Sequence, residues 1–182
     1  MQEPDLLPTE ILAPSAGTVG QPVTLSAKVR NAGGSMNSAV NPTFTNYFRV
    51  RNAATDATVS GSEQYKVANS IAAGATSPAI TGSWTPQVTG TYYIRFCADR
   101  NNNPDTGSVD ESNEGNNCAN SATFTVGTPP VILPDLTAVN VAGPSSAIVG
   151  QAISYSGQVR NSSTGGPVNQ TFTSYLRVRD TL

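Results

Sequence analysis

The chain has 182 residues, 37% apolar and 12% charged, with a net charge near −2, two cysteines and no histidine. The missing histidine excludes Ser-His and Cys-His nucleophile arrangements and any His-based zinc site. The near-neutral charge leaves no electrostatic footprint for nucleic acid, and no apolar run approaches the ~20 residues of a membrane span.

Met1-Gln2-Glu3-Pro4 leads straight into domain-like sequence with no signal-peptide pattern, so a mature form with an added Met is expected. Residues 21–31 alternate strictly, with Val23, Leu25, Ala27 and Val29 on one face and Thr24, Ser26, Lys28 and Arg30 on the other. That period of two predicts a half-buried strand. Residues 43–51 predict the next, with Phe44, Phe48 and Val50 inward and Tyr47, Arg49 and Arg51 outward. Weaker strands are predicted over 63–68 and 79–85, the second carrying Trp84. Over 91–99, Tyr92, Ile94, Phe96 and Ala98 face inward, and over 118–126, Ala122, Phe124 and Val126 do. Gly90-Thr91-Tyr92 fits a tyrosine corner, in which the phenol bonds a nearby backbone group. Gly or Pro interrupts every candidate helix. The expected fold is therefore all-β, an immunoglobulin-like antiparallel β-sandwich.

The chain then starts again. Pro4-Asp5-Leu6 returns as Pro134-Asp135-Leu136, and Val29-Arg30-Asn31 returns as Val159-Arg160-Asn161, both at a spacing of 130. Thr43-Phe44-Thr45-Asn46-Tyr47-Phe48-Arg49-Val50-Arg51 is echoed by Thr171-Phe172-Thr173-Ser174-Tyr175-Leu176-Arg177-Val178-Arg179, at a spacing of 128. A fixed period marks an array of like modules. The expectation is one complete module over 1–127, an extended Pro-rich linker over 128–133, and the N-terminal part of a second module over 134–182. Strands are predicted there over Leu136–Val141, Ile153–Arg160 and Phe172–Arg179. Ala27 and Gly157 are small in both copies, which predicts a bulky side chain approaching across the core.

With these pieces in hand, a resemblance can be stated. The opening Pro-Asp-Leu, Val19-Gly20-Gln21-Pro22-Val23, Ser83-Trp84-Thr85-Pro86 with Thr89-Gly90-Thr91-Tyr92, and Cys97-Ala98-Asp99 running to Asp110-Glu111-Ser112-Asn113-Glu114-Gly115-Asn116-Asn117-Cys118 all resemble CARDB domains. CARDB denotes a cell-adhesion-related domain found in bacteria. The resemblance covers 4–126 well and 134–180 in part. It implies a secreted or surface-displayed sandwich, often in tandem and often appended to larger proteins, and implies no particular ligand.

Cys97 and Cys118 are two free thiols in an intracellular protein and one disulfide in a surface protein; the low-charge, Thr- and Asn-rich composition selects the disulfide. The intervening stretch is crowded with oxygen ligands. Asp99, Asn101, Asn103, Asp105 and Asp110 follow the rhythm of a calcium loop, although Pro104 stands where such loops need glycine. Asp99, Asn103, Asp105, Glu111 and Glu114 are thus the candidate ligands of a structural Ca2+, no cofactor being required. The competing reading is a polar hairpin tip whose Asn side chains close Asx turns. Tyr47 and Tyr175, beside their arginines, are either a sugar-stacking platform or ordinary cross-strand packing.

These readings converge on a non-enzymatic extracellular structural or adhesion protein. Ile153, Tyr155, Val159, Phe172, Leu176 and Val178 form the expected assembly interface, to be completed by another copy of the chain or by a larger extracellular protein. Head-to-tail completion by strand addition would build a filament. The alternative is a binding or spacer module, for protein or carbohydrate, within a larger secreted or cell-surface protein.

Overall fold

A computed structural model describes residues 2–36, 42–100 and 107–180. The chain forms two compact units, Met1–Pro129 and Pro130–Leu182. In the first unit the strands are β1 (Leu6–Leu12), β2 (Ala16–Thr18), β3 (Val23–Asn31), β4 (Thr43–Asn52), β5 (Gln64–Asn69), β6 (Ile80–Trp84), β7 (Gly90–Cys97), β8 (Cys118–Asn120) and β9 (Phe124–Gly127). One sheet has the order β1-β3-β6. The other runs β2-β9-β7-β4-β5, with β8 also paired to β7. All pairings are antiparallel except β2 with β9. The result is the antiparallel β-sandwich that the alternating pattern requires.

The inward rows of the two sheets make one core. Leu6, Leu25, Val29, Phe48, Val50, Ile94 and Phe96 are wholly buried. The Phe48 and Phe96 rings sit 4.7 Å apart, and Trp84 packs edge-on against Tyr92 at 5.1 Å. Such offset and edge contacts suit the ring quadrupoles. The tyrosine corner is present: the Tyr92 hydroxyl donates to the Val88 carbonyl at 3.0 Å.

Two features depart from the sequence reading of this unit. The strand expected over 118–126 is broken, because the register against β7 shifts by one residue between Cys118–Asn120 and Phe124–Val126. Ser121 takes up the extra residue. Its backbone N–H donates to the Ile94 carbonyl at 2.8 Å, and its hydroxyl accepts the Ile94 N–H at 2.9 Å. The side chain thus replaces a ladder bond, and Ala122 turns outward and is exposed instead of facing the core. Tyr47 does lie on the outer face but is only 3% exposed. Tyr65 flanks it at 6.0 Å, the Arg49 guanidinium lies 4.6 Å over its ring, and Cys97 stands opposite it in the ladder.

The second unit contains β10 (Leu136–Ala142) and β11 (Ser156–Asn161), paired antiparallel. It repeats the first unit down to single hydrogen bonds. The β1–β3 ladder shifts register between Thr9 and Leu12, and the β10–β11 ladder between Val139 and Ala142. At the shift, Glu10 and Asn140 both take positive φ, 48° and 52°. The Asn31 Oδ1 accepts the Asp5 N–H at 3.1 Å, and the Asn161 Oδ1 accepts the Asp135 N–H at 3.0 Å. Gly34 and Gly166 follow in the same turns, where any Cβ would collide with the carbonyls of Gln2 and Ile132. Only glycine permits that approach.

The strand expected over Phe172–Arg179 does not form: residues 171–180 run with no ladder partner. In the first unit the matching strand, β4, is held by β5 on one side and β7 on the other, and the described residues of the second unit supply neither. For the same reason the strand expected from Ile153 begins only at Ser156. Its counterpart in β3, Val23–Ala27, is the stretch paired with β6.

Candidate functional site

Two places carry the residues singled out from sequence: the loop between β7 and β8, and the open face of the second unit. The loop is clamped at its base by a Cys97–Cys118 disulfide with Cα atoms 4.1 Å apart, between residues directly opposite in the ladder. The Arg100 Nη1 donates to the Cys118 sulfur at 2.9 Å.

Beyond the clamp, the loop acts on the start of β1. Glu111 is 8% exposed; one carboxylate oxygen accepts the Leu6 N–H and the other accepts the Asn117 amide at 2.8 Å. The Ser112 N–H donates to the Pro4 carbonyl at 2.9 Å, and the Asn116 amide to the Asp5 carboxylate at 2.7 Å. The Asp110–Cys118 stretch therefore supplies a latch that closes on Pro4-Asp5-Leu6. Burial pushes the Glu111 carboxyl up to about 7, against the lowering effect of the two hydrogen bonds it accepts; Glu114 and Asp99 nearby add to the rise.

Of the other candidate calcium ligands, Asp99 and Glu114 are engaged within the loop. Asp99 is 2% exposed, and its carboxylate accepts the Val109 N–H at 2.7 Å and the Ser108 hydroxyl at 3.1 Å. Glu114 accepts the Glu111 N–H at 3.2 Å. Asn113 closes an Asx turn by accepting the Gly115 N–H at 3.1 Å. Asn101, Asn103 and Asp105 lie outside the described residues. Among the described residues, no three His, Cys, Asp or Glu side chains gather as a metal site.

In the second unit, the six assembly residues are all exposed. The contrast with their counterparts is direct: Phe44 is 2% exposed and Phe172 53%, Phe48 0% and Leu176 43%, Val50 0% and Val178 69%. Ile153, Tyr155 and Val159, on and before β11, are exposed as well. A cleft of about 760 Å3 lies between β10 and β11 on one side and residues 172–176 on the other. A Cβ on Gly157 would lie 3.1 Å from the Leu176 Cδ2, the close approach expected from the small residue there.

The sugar-platform reading loses Tyr47, whose ring is covered. Tyr175 is 73% exposed and keeps the cation–π partner of its counterpart, with Arg177 at 4.6 Å. What sequence reasoning missed is the pair Asn31 and Asn161, which organise the turn after β3 in the first unit and the matching turn after β11 in the second. Their signal was the repeated Val-Arg-Asn, whose final polar residue breaks the apolar alternation.

The CARDB family model matches residues 3–121, and the chain belongs to the CARDB family. Among solved structures, the chain is similar to a CARDB domain of Pyrococcus furiosus in complex with di-metal ions, at 23% identity over 69% of this chain and 90% of that one, with a TM-score of 0.49. A solution NMR structure of a Pyrococcus furiosus CARDB domain gives 26% identity over 69% and 97%, with a TM-score of 0.49. A β-glucosidase from Listeria innocua in complex with glucose gives 11% identity over 69% of this chain and 16% of that one, with a TM-score of 0.40. No curated protein matches the chain. No helix among the described residues is long and apolar enough to cross a membrane.

Proposed function

We propose that this protein is a non-enzymatic, extracellular structural component built of CARDB modules, which associates with another chain through its second unit. The observation that carries this reading is the set of matched positions buried in the first unit and exposed in the second. The same inward pattern costs nothing in unit one and leaves a contiguous apolar face in unit two, which marks an interaction surface. The Cys97–Cys118 bond supports an oxidising, extracellular setting. A non-enzymatic role is supported by the chemistry of the loop, where the acidic side chains Asp99, Glu111 and Glu114 each accept a hydrogen bond from protein donors. The same bonding favours the turn-closing role of that loop over a bound calcium.

Sedimentation over a concentration series tests the association. A mass that rises from one chain toward a multiple as concentration increases is expected. A strictly monomeric species at high concentration, with the apolar face intact, leaves instead the reading of a spacer or binding module.

A further inference from the structure

The outer face of the larger sheet carries an aromatic rung beside an arginine rung. In the first, Tyr65, Tyr47, Cys97 and Cys118 stand in line across β5, β4, β7 and β8. In the second, Arg49 of β4 stands directly opposite Arg95 of β7, and Asn120 of β8 stands on the other side of Arg95. Like charges directly opposite each other destabilise a ladder, so the fold gains nothing from this pairing. Arg95 makes no hydrogen bond or ion pair among the described residues. The Arg49 Nε lies 2.6 Å from the Glu63 carboxylate but is not aligned for a hydrogen bond. Arg100 brings a third guanidinium to this face, where it meets the Cys118 sulfur. Glu114 lines a cleft of about 240 Å3 with Arg95 and Arg100. Three cations thus stand against two carboxylates, on a chain whose net charge is −2.

The chain writes part of this face twice. The outer residues of β4, Thr43, Thr45, Tyr47, Arg49 and Arg51, return unchanged as Thr171, Thr173, Tyr175, Arg177 and Arg179. The inward Asn46 and Phe48 return as Ser174 and Leu176. The Arg177 guanidinium keeps its place 4.6 Å over the Tyr175 ring. On the other sheet the outward charges are exchanged. Lys28 and Glu10, 2.7 Å apart, return as Gln158 and Asn140, joined by an amide hydrogen bond at 2.6 Å. Such exchange is expected where a surface ion pair contributes little. Packing accounts for Tyr47, and the Asp56 carbonyl that Arg51 binds accounts for Arg51. Arg49 and its neighbour Arg95 are left without an equivalent structural reason.

We infer that the outer face of β4, β7 and β8 binds an acidic glycan, a polymer of uronic acid, with a carboxylate seated on Arg49 and Arg95. The inference rests on the extracellular setting proposed above and is independent of the association. Planar guanidinium forks match a carboxylate through parallel N–H bonds, and an anion between the two arginines turns their repulsion into a joint attraction. The neighbouring rung supplies what the sugar ring needs. Tyr47 is covered, but Tyr65 is 42% exposed; its ring offers an apolar face and a polar edge, on which the C–H face of a pyranose stacks. The two rungs are two residues apart, about 7 Å along the strands, a gap that one uronate and the length of the arginine side chains close together. Asn120, exposed at the end of the arginine rung, offers both a donor and an acceptor to sugar hydroxyls. An acidic peptide carries the charge but brings no hydroxyl-bearing ring to Tyr65 and Asn120.

The test is calorimetric titration of the full chain with tetragalacturonate, its neutral methyl ester and tetraglutamate. Tetragalacturonate should bind, and more weakly as salt rises; the methyl ester, which keeps the rings and loses the charge, should not. Arg95→Gln should weaken binding about tenfold or more, as expected for a lost charged hydrogen bond, with the melting temperature unchanged. Lys28→Gln removes the same charge from the opposite sheet, at a position where the second unit itself carries glutamine, and should bind as the native chain does. No binding of tetragalacturonate at millimolar concentration, or equal losses in Arg95→Gln and Lys28→Gln, overturns the site. Tetraglutamate bound as tightly as tetragalacturonate overturns the glycan in favour of an acidic peptide. A chain that binds tetragalacturonate and stays monomeric in sedimentation keeps this inference and loses the association; one that associates without binding does the reverse.

Discussion

Glu111 offers the sharpest test of the latch. Its carboxyl is buried against the Leu6 N–H and the Asn117 amide, and burial raises it from 4.5 to about 7. The folded protein thus binds this proton more tightly than the unfolded chain does. Stability from this group is fully present below pH 4.5, declines as pH rises through the interval to about 7, and is level above it. The shift from 4.5 to about 7 corresponds to about 3 kcal/mol. At roughly 3–5 °C per kcal/mol for a unit of this size, the melting temperature of unit one should fall by about 10 °C between pH 4.5 and 8. The perturbation is Glu111→Gln. The glutamine oxygen keeps the Leu6 N–H, and its amide gains the Asn117 Oδ1, a buried atom with no hydrogen-bond partner, once the Asn117 amide turns over. Thermal melts followed by Trp84 fluorescence across this pH range provide the assay. Glu111→Gln should flatten the profile and exceed the native protein at pH 8. A native stability that climbs from pH 5 to 8, or an unchanged slope in Glu111→Gln, refutes the reasoning.

Other expectations follow from single contacts. Replacing Cys97 and Cys118 together by Ser should cost about 3 kcal/mol, from a closed loop of about twenty residues, and unreduced native protein should take up no alkylating reagent. Asn31→Ala removes four hydrogen bonds at a wholly buried site, to Asp5, Gly33, Gly34 and Ile71; a loss of about 3 kcal/mol is expected in denaturant melts. Millimolar calcium or a chelator should leave the melting temperature of unit one unchanged, since a folded-state ligand would shift it by mass action. Leu176→Asp with Val178→Asp should weaken self-association about tenfold or more, with the melt of unit one unaffected.

The parts of the fold legible in the sequence were those decided by period alone. β3, β4 and β7 alternate cleanly because one face of each meets the opposite sheet, and the spacing of Gly90 and Tyr92 announced the tyrosine corner. What escaped depends on partners distant in sequence. β2 is three residues long and exists because it lies parallel to β9. The break at Ser121 arises from a hydroxyl substituting for a backbone acceptor, which no alternation encodes. Tyr47 reads as outward and is outward, yet Tyr65 and Arg49 cover it. Residues 171–179 carry nearly the same string as β4, and only β4 is a strand, since a strand needs a neighbour as well as a sequence. At the loop, the sequence shows a cluster of carboxylates but not which backbone N–H groups they reach, such as Val109 for Asp99 and Leu6 for Glu111.

Amide hydrogen exchange of residues 171–179, followed in dilute and concentrated protein, tests the association most directly. Among the described residues of a single chain these have no ladder partner, so their amides should exchange freely when dilute. Protection that emerges with concentration over this segment, with β3, β4 and β7 unchanged, is the predicted result. Equally rapid exchange at every concentration would contradict the account.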